Sequence, residues 1–421
     1  MKFIYLLLTT FILTVLILLP ISCNKGNCYS KGLLEIDSLM ETNPNAAYDS
    51  LLHIDSMRLY EGDEAMKMRL RLLMAKAENK LFMTMPADSV FMEVVNFYDH
   101  NSTVNDRMMS RYLLGCIYRD MNDGAKAVEC FLDAVELADT TDIGCDYITL
   151  SRICGQLAAL YNTNGMYRES LEAQYDASRF AQRANNIYEY IRGKEFVSDC
   201  YYSLHDTVSA LNLSKECIRL YEKYNMPKEA ASAFTLLIFN SIVRGQYDSA
   251  RIYMNKFENE SGLFKNGEIA SGREHYYYSK GAYYLGIRDI DSAAIYFNRL
   301  RKYGYHYEAY KGLAELYAVK MRADSSQIYS ELAENLLDSI HEHSQANEIV
   351  KVIISHNNKK AYHSNLVTNS LWVACVILVL ILASFLFYLN GNHDSFLVVS
   401  YHLFLNFFYF FRTSSNRKKK M

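Results

Sequence analysis

The chain repeats itself, and that repetition constrains its fold more than any single motif does. The clearest unit is LLGCIYRDMNDGAKAVECFLDAVELA, Leu113 to Ala138, where Leu114, Gly115 and Tyr118 on one segment precede Ala127, Phe131 and Ala134 on the next. Small residues at those offsets let two antiparallel helices approach closely, while the aromatic residues fill the space between neighbouring pairs. With Met108 as the first position, further units begin near Ser151, Ile191, Ala231, Glu274 and Tyr307. In the second, Leu157, Ala158, Tyr161, Ser170 and Ala177 match, but Gln174 stands where an aromatic residue is expected. Gly281, Tyr284, Ala293 and Phe297 are all in register in the fifth. The third offers Ser198, Tyr201 and Ala210, the fourth GQYDSAR with Ala250, and the sixth Leu313, Ala314, Tyr317 and Ala333.

These offsets resemble the tetratricopeptide repeat. The unit starts lie 43, 40, 40, 43 and 33 residues apart, against a family period of about 34. Helices must therefore be longer, or loops larger, between all but the last pair. The expected fold is all-α: a tetratricopeptide-repeat α-solenoid over 107–345, followed by a C-terminal transmembrane helix. Upstream, LLEIDSLMETNPNAAYDSLLHIDSM reads as two short amphipathic helices broken at TNPN, and a further hairpin is expected from Ala65 to Tyr98. Residues 24–106 thus cap the array.

The resemblance implies a concave groove lined by the first helix of each pair. Its exposed positions would include Tyr112, Arg119, Arg152, Asn162, Arg192, Glu195, Asp199, Tyr202, Tyr278, Lys311 and Glu315. Mixed charge and aromatic content suits a protein or peptide partner. The set lacks the lysine and asparagine pattern of repeats that clamp a C-terminal carboxylate.

Both ends of the chain read as membrane signals. Lys2 precedes an apolar run from Phe3 to Leu19, and Ser22 precedes Cys23, so 1–22 is expected to be an export signal of the lipoprotein type with Cys23 acylated. Pro20 departs from that pattern, and an uncleaved signal anchor is the alternative. Near the other end, 19 uncharged residues from Leu371 to Leu389, with Trp372 and Tyr388 near the two ends, are long enough for a transmembrane helix. A juxtamembrane helix is expected over 346–370. The tail, 390–421, ends in Arg417, Lys418, Lys419 and Lys420, which places it in the cytoplasm by the positive-inside tendency. Within it, Phe396 to Phe411 is expected as an interfacial helix.

Lipoprotein-like signal, SLMETNPNAAYDSL, degenerate repeats and one late membrane span together look like the tetratricopeptide-repeat membrane proteins common in Bacteroidetes. That resemblance implies an inner-membrane protein with periplasmic repeats. Many relatives continue into an output domain, for which 32 residues after Tyr388 and Leu389 leave no room, and the tail's change of texture suggests a truncated or frame-shifted relative.

Composition narrows the function. A net charge of −3 gives no footprint for nucleic acid, and 4 Pro and 18 Gly against 35 Tyr favour continuous helices. Phosphate-loop, zinc-helix, nucleophile-elbow and kinase signatures are absent from the sequence. His341 and His343 fall on different helix faces, so no metal and no cofactor are expected. Six central cysteines, Cys116, Cys130, Cys145, Cys154, Cys200 and Cys217, lack paired spacing. They read as free core residues, with a disulfide framework as the alternative. Expected overall is a non-enzymatic, membrane-anchored periplasmic scaffold or sensor binding an envelope protein or peptide. The alternative is a nutrient (glycan)-binding outer-membrane lipoprotein of the starch-utilisation type. The lone Trp372 and the C-terminal span count against it.

Overall fold

The computed structural model describes residues 31–56 and 63–389. The expected signal peptide, Cys23 and the tail 390–421 lie outside the described residues. The chain divides into two compact units, 1–350 and 351–421.

The described part of the first unit is almost entirely helical hairpins. Two pairs come first: α1 (Lys31–Thr42) with α2 (Pro44–Ser56), then α3 (Glu64–Lys80) with α4 (Asp88–Asn101). The expected repeats follow as α5 (Val104–Asp120) with α6 (Gly124–Leu137), α7 (Tyr147–Thr163) with α8 (Tyr167–Arg183), and α9 (Ile187–Ser203) with α10 (Thr207–Lys223). In the fourth, the first helix is split into α11 (Pro227–Ser232) and α12 (Thr235–Val243), which face α13 (Tyr247–Glu260). The last two are α14 (Tyr276–Gly286) with α15 (Ile290–Lys302), and α16 (His306–Val319) with α17 (Ala323–Glu342).

The first four repeats begin one turn earlier than the sequence spacing predicts, at 104, 147, 187 and 227, so the array starts at Val104 rather than 107. Local caps decide this. Thr103, Asp146 and Asn186 accept the backbone N–H of Asp106, Thr149 and Glu189 at 3.2, 3.0 and 3.1 Å, and Pro227 supplies the fourth start. The long spacings also have local causes. Helices α7 to α10 are each 17 residues long. A loop follows α6, and a small antiparallel hairpin, β1 (Phe264–Lys265) with β2 (Glu268–Ile269), follows α13 and pairs Phe264 with Ile269.

Three of the turns inside the pairs share one chemistry. Asn122, His205 and Arg288 take positive φ, and the next residue, Asp123, Asp206 or Asp289, caps the second helix at 3.1 Å. Close approach of the paired helices rests on the small residues. A Cβ at Gly281 would lie 2.6 Å from the Phe297 ring, and both Phe131 and Phe297 are fully buried, each contributing about 1.5–3 kcal/mol. Where serine replaces alanine it bonds across the pair: Ser170 and Ser198 donate to the carbonyls of Ala158 and Ala210 at 2.9 and 2.8 Å.

At its far end the unit returns to its own first repeats. Gln345 Nε2 donates to the Asn122 carbonyl at 2.6 Å, while its Oε1 accepts from Gly124 N–H at 2.6 Å. The Gln345 backbone N–H donates to Asn164 Oδ1 at 2.8 Å. Ile349, one turn into the next helix, is fully buried. The separately expected juxtamembrane and membrane helices form one continuous helix, α18 (Ala346–Leu389), of 44 residues.

In the second unit the described backbone, 351–389, is all helix. Ile354, Tyr362 and Trp372 are exposed. Among the described residues no helix is long and apolar enough to cross a membrane. Most side chains of 371–389 lie outside the described residues.

Candidate binding groove

A cavity of about 580 Å³ opens between α7, α8 and α9. Its origin is a departure from the repeat pattern. In the first repeat two rings fill this position: Tyr112 and Phe131, with centroids 6.0 Å apart. Their equivalents 43 residues on are Gly155 and Gln174. A Cβ added at Gly155 would meet nothing within 4 Å. Gln174 is buried and lines the cavity together with Ala158, Ala177 and Ala181. Two missing rings have left a space with an alanine floor.

Five of the expected groove residues converge on it: Tyr112, Arg152, Asn162, Arg192 and Asp199 all line the cavity. Glu195 lines a smaller neighbouring cleft with Arg192 and Asp199. Tyr202 and Tyr278 are linked through Phe239, with ring centroids at 5.9 and 6.5 Å, and line neither space. Lys311 and Glu315, both exposed on α16, also fall outside them.

The N-terminal wall is satisfied from within. Tyr112 is buried, which raises its pKa. Arg119 donates to Gln156 Oε1 at 2.9 Å and Asn79 Oδ1 at 3.1 Å, so it braces α3, α5 and α7 rather than facing a partner. Arg152 donates to Glu41 at 3.0 Å, and Lys80 bridges the same carboxylate at 2.8 Å. Burial works to raise the Glu41 pKa, but these two hydrogen bonds and charges outweigh it and hold the group at about 2.

The α9 wall is different. Arg192 lies over the rings of Tyr188 and Phe196, 5.9 and 5.5 Å from their centroids. Phe196 is 44% exposed. Asp199 is exposed at the surface of the cavity and of the neighbouring cleft, and the protein around these spaces thins its solvent. That desolvation, reinforced by the neighbouring Glu195 carboxylate, raises its pKa to about 7. Desolvation likewise raises Glu195 to about 7, against the pull of a 2.7 Å hydrogen bond from Tyr221 and of Arg192 and Arg273.

Sequence reasoning missed Gly155, Gln156, Gln174, Phe196 and the pairing of Glu41 with Arg152. Gln174 carried a visible signal in its departure from the aromatic position. Among the described residues no group of three or more His, Cys, Asp or Glu side chains could hold a metal ion. The central cysteines are free thiols.

The tetratricopeptide repeat family matches residues 110–141, which take in the C-terminal part of α5 and all of α6. The chain is similar in structure to aspartyl phosphate phosphatase F from Bacillus subtilis, with 14% identity and a TM-score of 0.51 over 76% of this chain and 85% of that one. The fold is a tetratricopeptide-type solenoid. Weaker likenesses to this solenoid are BtubC from P. vanneervenii (15% identity, TM-score 0.41, 54% of this chain and 90% of that one) and a Rap protein complexed with competence and sporulation factor (15%, 0.39, 74% and 98%). None of the curated proteins matches the chain.

Proposed function

We propose that this solenoid is a non-enzymatic protein-interaction scaffold whose groove over α7 and α9 receives a segment of a protein or peptide partner. The observation that carries the reading is the contrast between the two groove walls. Arg119 and Arg152 are committed to internal partners, while Arg192, Phe196 and Asp199 face the cavity from α9. An exposed aromatic and an arginine beside a concave apolar floor are the features of an anchor site.

In the finer reading, the chain is tethered to the inner membrane with its repeats in the periplasm. It is held by an acylated Cys23 and by 371–389, and passes partner binding to an envelope regulatory system. Support for this comes from sequence: the signal-like start, the uncharged 19-residue segment and the basic tail.

Two measurements test these levels separately. A photo-crosslinking residue at position 196 should capture one discrete partner in native cells, and Arg192→Glu or Asp199→Lys should abolish the adduct. An adduct indifferent to both substitutions removes the groove from the reading. Protease treatment of spheroplasts should digest the repeats and spare the tail. Protected repeats would remove the periplasmic placement alone.

A further inference from the structure

Among the differences between the first and second repeats, one pair of positions, 112 and 131 against 155 and 174, specifies what the cavity lacks. Tyr112 and Phe131 meet at a tilt across the first hairpin, their ring planes 36° apart, where Phe131 is fully buried against Gly115. The fifth hairpin repeats this with Phe297 against Gly281. Only Gly155 and Gln174 occupy the corresponding places in the second, and the space they leave is open to the groove.

We propose that this cavity is an anchor pocket for an aromatic side chain of the partner, tryptophan or tyrosine, which supplies the ring that the second repeat does not. The proposal rests on the groove reading above and names the chemistry that reading needs. Three features favour a ring over an aliphatic group. The floor of Ala158, Ala177 and Ala181 is apolar and free of branched side chains, which suits a flat face. Arg192 lines the cavity and already lies over two aromatic rings, so a guanidinium stands beside the space to meet the negative face of a π system. At the rim, Gln156 and Asn162 line the same cavity and offer carboxamides to an indole N–H or a phenol O–H, the polar handle that tyrosine and tryptophan carry. The volume of about 580 Å³ exceeds that of one side chain, so the neighbouring residues of the partner enter with the ring.

The test uses the full chain in detergent micelles with N-acetyl-tryptophanamide as probe, read by saturation-transfer NMR. Three proteins are compared: wild type, Gln174→Phe and Gly155→Tyr. Each variant restores a ring of the first repeat, one from each wall, and circular dichroism melts check that each is folded. Saturable transfer is expected in wild type, with affinity reduced about tenfold or more in whichever variant is folded, and N-acetyl-leucinamide binding about tenfold or more weaker than the tryptophan amide. No transfer in wild type, equal transfer in the filled variants, or leucine and tryptophan amides binding alike would each overturn the proposal. If the amide fails while crosslinking at position 196 still captures a partner, the aromatic anchor is wrong and the groove reading stands. If both fail, the groove reading falls with it.

Discussion

Arg152 on α7 donates Nη2 to Glu41 Oε2 at the end of α1, 3.0 Å away and 111 positions earlier in the sequence. The contact reaches from the N-terminal hairpin to the second repeat, and Lys80 on α3 shares the carboxylate. An N-terminal hairpin expected only to cap the array therefore also holds in place an arginine that lines the groove cavity.

Its pH dependence follows from the sign of the shift. Glu41 is held at about 2, below its ordinary 4.5, so its contribution is present above pH 4.5 and is lost as pH falls toward 2. The carboxylate is partly exposed, which limits the contribution to roughly 0.5–1 kcal/mol. Glu41→Gln should lower the urea midpoint at pH 7 and converge on wild type as pH drops toward 3. Parallel curves across that range would show that the pair contributes nothing.

Asp199 behaves in the opposite sense. Its pKa is raised from 3.8 to about 7, so the folded state holds a proton that the unfolded chain releases. Stability from this group is full below pH 3.8 and is lost as pH rises through 7. Asp199→Asn should flatten the decline in midpoint between about pH 4 and 7. Because Glu195 shifts in the same direction, part of the slope should survive. An unchanged slope would mean that the groove does not desolvate Asp199.

Two glycines of equivalent helices should respond with opposite signs to alanine. Gly155 has open space where the Cβ would go, so Gly155→Ala should stabilise by about 0.5–1 kcal/mol through helix propensity. Gly115 lies against the Phe131 ring, and Gly115→Ala should cost about 1–3 kcal/mol through overpacking. Thermal melts of the two variants decide it, and a same-signed pair would refute the packing described for these hairpins.

Much of this architecture is legible in the sequence because Gly115, Phe131, Gly281 and Phe297 encode a local packing rule that recurs. Repeat starts are less so. Matching to the repeat pattern fixes Met108, while the cap that begins the helix is Thr103, a signal of a different kind one turn upstream. Gln174 reads in the sequence as a defect of the second repeat, and in the structure it is the opening of the cavity. Neither Glu41 with Arg152 nor Gln345 with Asn122 could be read from sequence, since no local spacing marks residues that meet across whole repeats.

Gln345 is the test of the returning end. Gln345→Ala removes two side-chain hydrogen bonds, to Asn122 and Gly124, and should cost about 1–3 kcal/mol. Hydrogen exchange should rise together at 122–125 and 344–350. A rise confined to 344–350 would mean that the contact is a passive tie.

That same contact changes how the array comes apart. In an open solenoid each hairpin leans only on its neighbours, and the terminal one frays first. Here the residues that follow the sixth hairpin are fastened to turns of the first and second, with Gln345 and Asn122 separated by 223 positions. The last hairpin's C-terminal end is thus held by the first repeats and cannot fray freely while that contact lasts. Loss of structure at either end is thereby coupled across the unit, and unfolding becomes more cooperative than the one-dimensional order of its helices would allow.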